Sequence, residues 1–117
     1  MSRRDLGFLH DMLDAGRLID EFLDGVARDR FDTDLLLQAA VIRYIEVMGE
    51  AAKHVSEATR QRAPTIPWRA IAGMRDVLIH AYRSVDPDEV WRAATHDLPR
   101  VVQRLEPLID AMQSEES

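Results

Sequence analysis

No cysteine occurs in the 117 residues, which excludes a disulfide framework, a thiolate nucleophile and a thiolate metal site. Aromatic residues are scarce at 6%, and the 46% apolar share suits a helical bundle better than a β-sandwich. No apolar run approaches the roughly 20 residues needed to span a bilayer. The opening Met1-Ser2-Arg3-Arg4-Asp5 lacks the apolar stretch of a signal peptide, so a cytoplasmic protein is expected. Lysine is nearly absent, with one Lys against 14 Arg, a bias of composition that accounts for the type of basic residue but less for its placement. The length suits one domain, expected over residues 1–113 with a frayed tail at 114–117.

The net charge of −6 is unevenly distributed. Residues 1–59 carry 7 basic and 12 acidic side chains, whereas 60–104 carry 8 arginines against 5 acids. An anionic ligand is therefore expected near the middle of the chain.

Apolar residues recur at three- and four-residue spacing throughout, and no segment alternates as a strand would. The expected fold is all-α, an antiparallel bundle of four main helices. The first, about 5–28, carries Leu6, Leu9, Leu13, Ile19 and Leu23. The second, about 33–60, with Asp32 or Thr33 as cap, carries Val41, Ile45, Met48, Ala52 and Val55. Beside that stripe lies a second one of Leu36, Ala40, Val47, Ala51 and Ala58, and so wide an apolar arc implies burial on more than one side, by the bundle and by a second subunit. Pro67 suits the first position of a third helix running to Tyr82. Asp86-Pro87-Asp88-Glu89 reads as a capped start of the fourth, which is expected to break near Pro99, with Asp97 capping the remainder.

The segment Arg75-Asp76-Val77-Leu78-Ile79-His80-Ala81-Tyr82 sets an arginine, a histidine and a tyrosine, spaced R-x4-H-x-Y, into a run that otherwise reads as buried helix. Burying such groups is costly, so either catalysis at a helix–helix interface or core hydrogen bonding must account for them. At about 100° per residue, Arg75 and Tyr82 are nearly eclipsed, whereas His80 is rotated by roughly 140° from Arg75. One straight helix cannot easily aim both at one phosphate, but two copies crossing at a two-fold axis can, which favours a homodimer. Asp76 lies one turn before His80, where a carboxylate can orient an imidazole or neutralise an arginine. Gly73 on the same face leaves room for close approach. Arginine suits a phosphorane and histidine exchanges protons near neutrality, so the pair fits RNA cleavage by the 2′-OH, a reaction that requires neither metal nor cofactor. Glu46, Glu50 and His54, four apart on the second helix, do not make the paired E-x-x-H motifs of a dimetal bundle; Glu50 is instead placed to face the third helix and hold an arginine. His10 and His96 have no supporting pattern.

The stretch Ile45–Tyr82, with Gly49-Glu50-Ala51-Ala52-Lys53 and then Ile66-Pro67-Trp68-Arg69-Ala70-Ile71-Ala72-Gly73-Met74 directly before Arg75, resembles the HepT-like branch of the HEPN superfamily. Val85-Asp86, Val90-Trp91 and Leu98-Pro99 continue the likeness. The resemblance implies a dimeric, metal-independent endoribonuclease acting as the toxin of a toxin–antitoxin pair, with RNA as substrate. Its implied antitoxin is a small nucleotidyltransferase. By that resemblance Arg75 and His80 are the nuclease pair, Asp76 is the polar residue after the arginine, and Tyr82 can be the tyrosine that the partner adenylylates. The chain departs from many relatives in carrying Asp76 where they have asparagine. Two other readings remain open: a non-catalytic module that binds, or is modified by, a nucleotidyltransferase, and a plain helical dimerisation domain.

Overall fold

The apolar stripes form an all-α bundle in the computed structural model, which describes residues 3–80 and 86–116, with backbone only at 77–80. Four long helices carry it: α1 (Arg3–Leu23), α3 (Leu35–His54), α5 (Trp68–His80) and α7 (Leu98–Glu116). Three one-and-a-half-turn helices, α2 (Arg28–Thr33), α4 (Glu57–Arg62) and α6 (Pro87–Arg92), occupy the connections. No strand occurs among the described residues, and none of their helices is long and apolar enough to cross a membrane. Helix α3 is central, packed along α1 on one side and α5 on the other, while α7 covers α1. Leu9, Met12 and Ile19 of α1, Val41 and Met48 of α3, and Leu105 of α7 lose all solvent contact in the core between them.

Several helix ends fall short of the expected ranges, each for a local reason. Helix α1 stops at Leu23 rather than near 28 because Gly25 takes φ +71°, a left-handed conformation that glycine adopts without steric penalty. Helix α3 is capped by neither Asp32 nor Thr33 but by Asp34, whose carboxylate accepts from the Leu37 N–H at 3.0 Å. It ends at His54, since Val55 is extended and Ser56 caps a separate α4. That break is enforced from a distance. Buried Asp5 of α1 accepts from the Ser56 N–H at 3.1 Å, the Ser56 hydroxyl at 2.5 Å and the Thr59 hydroxyl at 2.6 Å. Arg60 then turns back onto α3 and donates to the Ala52 and Val55 carbonyls at 2.8 and 3.1 Å, the first of which also accepts from the Val55 N–H at 3.3 Å.

Asp86 caps α6 by accepting from the Asp88 N–H at 2.9 Å, with Pro87 at the first helical position as expected. The interruption expected near Pro99 is a π turn over Ala93–Asp97, and Asp97 belongs to that turn instead of capping a fresh start. In a regular helix Pro99 would have no N–H for the Thr95 carbonyl and would crowd it, and the chain widens in the turn just before it, where the Leu98 N–H donates to the Ala93 carbonyl. Helix α7 keeps helical backbone through Glu116, and Arg62 of α4 grips Glu115 in its last turn. Of the second apolar stripe on α3, Ala51 is buried within the chain, whereas Leu36 and its neighbour Leu35 stand 82% and 76% exposed.

Candidate active site

The closest approach of α3 to α5 determines where Arg75 sits. A Cβ placed on Gly49 would lie 2.4 Å from the Arg75 Cβ and 2.8 Å from the Ile71 carbonyl oxygen, so only glycine fits there. The Arg75 side chain consequently emerges over α3, 26% exposed, beside the residue that follows Gly49. Its Nε lies 2.7 Å from Glu50 Oε2, and its Nη1 donates to Asp76 Oδ1 at 3.1 Å. Two carboxylates therefore flank one guanidinium. The expectation that Glu50 faces the third helix and holds an arginine is met. Gly73, by contrast, has nothing among the described residues within 4 Å of where a Cβ would be.

Glu50 is fixed from its other side. His54, one turn on, shares a hydrogen bond of 3.1 Å between its Nε2 and Glu50 Oε1, and its ring stacks on Phe8 of α1 at 5.1 Å and 22°. The hydrogen bond with His54, ahead of the charge of Arg75, holds the Glu50 carboxyl below the usual glutamate range. Oε2 of Glu50 is enclosed, yet no N–H among the described residues is aligned on it, so its contact with Arg75 is a charge contact rather than a directed hydrogen bond. An open cavity of about 240 Å³ lies over this group, lined by Phe8, Asp11, Arg43, Glu46, Glu50, His54 and Arg75. Arg43 approaches Glu46 at 4.0 Å. No three His, Asp or Glu side chains among the described residues gather as a metal would need.

Arg75 and Asp76 are thus brought together. The backbone of His80 closes α5, while its side chain and the whole of Tyr82 lie outside the described residues. Sequence reasoning missed His54 as a member of this group and Gly49 as its foundation. The i,i+4 spacing of Glu50 and His54 was a usable signal for the first. For the second there was only a glycine inside an otherwise helical stripe.

A family model described as "Ribonuclease HepT-like" matches residues 12–108. A Thermococcus cleftensis protein named "Probable ribonuclease HepT" is 39% identical over 108 residues, covering 92% of this chain and 98% of its own. A protein of Methanocaldococcus jannaschii that bears the name of a putative RNase is 32% identical over 107 residues, covering 91% of this chain and 98% of its own. A second from that organism, similarly named, is 36% identical over 114 residues, covering 97% and 98%. No solved structure matches the chain significantly.

Proposed function

The chain belongs to the HepT-like ribonuclease family, and from that premise we propose that it is a metal-independent endoribonuclease with Arg75 and His80 as its working pair. The observation that carries the proposal is the placement of Arg75: its guanidinium is held at the edge of an open cavity by carboxylates, on the helix that ends at His80. In the proposed reaction the 2′-OH attacks the adjacent phosphorus, forming a 2′,3′-cyclic phosphate while the bond to O5′ breaks. His80 moves the proton between attacking and leaving oxygens, and Arg75 stabilises the charge on the phosphorane. Asp76 orients the guanidinium.

The active unit in this reading is a homodimer. Leu35 and Leu36, side by side at the start of α3, expose apolar surface of the kind a second copy covers, and the 140° phase between Arg75 and His80 is bridged by a two-fold cleft. The protein acts as a toxin whose antitoxin is a nucleotidyltransferase. Tyr82 attacks the α-phosphorus of ATP, pyrophosphate leaves, and the added phosphate places negative charge beside the cleft, repelling RNA. One experiment tests the chemical core of this proposal. Purified wild type, Arg75→Lys and Arg75→Ala are compared on tRNA, with melting measured on the same samples. A guanidinium that grips a phosphorane predicts that both variants lose most activity while melting within a few degrees of wild type. Full activity in Arg75→Ala would remove the proposal.

A further inference from the structure

We infer that Glu50 is the resting counter-ion of Arg75, a positioning residue that a phosphodiester displaces when it takes the guanidinium; the inference rests on the reading of Arg75 as the phosphate-binding residue. A carboxylate and a phosphodiester present the same paired anionic oxygens to the same N–H fork, so they compete for it. Glu50 Oε2 lies on Nε at 2.7 Å, and Asp76 takes Nη1 at 3.1 Å. Asp76 travels with Arg75 because it is the next residue of α5. Glu50 reaches over from α3, so it is the partner whose contact can be exchanged.

Three features suit Glu50 to being displaced. Its contact with Arg75 lacks an aligned N–H, so a better-directed oxygen replaces it at little cost. Its other oxygen is bonded to His54, which Phe8 holds by stacking, so Glu50 keeps a partner after Arg75 has left it. The backbones beneath are locked by the contact at Gly49, so the exchange falls to the side chains and not to the helices. Glu50 thereby holds the guanidinium in place while the site is empty. An ordinary inter-helix ion pair would do none of this; it would only add stability.

The test measures binding of a fluorescein-labelled, non-cleavable 2′-O-methyl oligoribonucleotide by anisotropy at fixed low salt. Wild type, Glu50→Gln, Arg75→Ala, the double variant and Glu46→Gln are compared. Glu50→Gln keeps the shape and removes the competing charge, so it is expected to bind roughly two- to five-fold tighter, the range for a pair of this exposure. That gain is expected to vanish when Arg75 is alanine and to exceed the gain from Glu46→Gln, which reports the general field of the cavity. No gain, a gain that survives in the Arg75→Ala background, or no measurable binding by either wild type or Glu50→Gln overturns the inference. Cleavage of the all-ribose version of the oligonucleotide is scored separately. Wild-type cleavage without an Arg75-dependent gain removes the role of Glu50 and leaves the nuclease reading standing. An Arg75-dependent gain without cleavage does the reverse.

Discussion

Replacing Gly49 with alanine probes the contact on which the site is built. The new Cβ would meet the Arg75 Cβ at 2.4 Å, the Ile71 carbonyl oxygen at 2.8 Å and the Arg75 Cα at 3.3 Å, whereas ordinary contact begins at 3.4 Å. Going from 2.4 to 3.4 Å requires α3 and α5 to separate by about 1 Å at this point, because two of the three neighbours are backbone atoms and cannot rotate away. Overpacking of this kind costs about 3 kcal/mol, at the upper end of its usual range. The better helix propensity of alanine returns about 1 kcal/mol, leaving a loss near 2 kcal/mol. For a domain of this size that is a fall in Tm of about 8 °C, at roughly 4 °C per kcal/mol. Arg75 moves with the helix, and a misplacement of about 1 Å typically lowers a catalysed rate by about 10²-fold. The assay is thermal unfolding and RNA cleavage on the same preparation, with Gly7→Ala as control, since Gly7 has nothing among the described residues within 4 Å of its Cβ position and lies in α1. Gly7→Ala should be neutral to slightly stabilising and fully active. A Gly49→Ala protein as stable as wild type would refute the packing argument. One that loses stability but cleaves normally would refute the claim that this contact positions Arg75.

Asp5→Ala removes an acceptor of three hydrogen bonds that is 4% exposed, and is expected to destabilise the fold by about 2–4 kcal/mol in urea unfolding, leaving the Ser56 and Thr59 hydroxyls only their long 3.4 Å contact with each other. Because the carboxyl of Glu50 is lowered on folding, its contribution to stability is present above the unfolded-state value and is lost as pH falls through the folded one. A carbon-detected titration of Glu50 should show its midpoint rising more in His54→Ala than in Arg75→Ala, since the hydrogen bond outweighs the charge. The reverse order would contradict the cause assigned here. In the proposed homodimer Leu36 meets the second copy, so Leu36→Glu is expected to weaken self-association by at least tenfold in sedimentation while leaving helicity intact; unchanged association would remove this face from the proposal.

The four long helices were legible because a buried face imposes a three-to-four spacing that survives any detail of packing, as Leu9, Met12 and Ile19 do in α1. The caps at Asp86 and Pro87 were legible because they act within one turn. What escaped was set from elsewhere in the chain. The break between α3 and α4 is braced by Asp5, 51 residues away from Ser56, a partner that the local cap at Ser56 does not reveal. The π turn shares its cause, Pro99, with the break expected in its place; sequence located the disturbance but could not choose between widening and restarting. Within the candidate site, the R-x4-H-x-Y pattern singles out Arg75 and Asp76, and the place of Glu50 on the neighbouring helix suggests its partnership with an arginine. The Gly49 contact and the Phe8–His54 stack did not, because each depends on how one helix crosses another.

In the proposed mechanism an imidazole on α5 moves the proton in a metal-independent cleavage. Wild type and His80→Ala are incubated with tRNA in the presence of EDTA, and the new ends are identified by mass spectrometry. That mechanism requires 2′,3′-cyclic phosphate and 5′-hydroxyl ends from wild type, with a rate loss of about 10²–10⁴-fold in His80→Ala at nearly unchanged RNA affinity. Cleavage that disappears in EDTA and returns with Mg²⁺, or a His80→Ala protein as active as wild type, would contradict it.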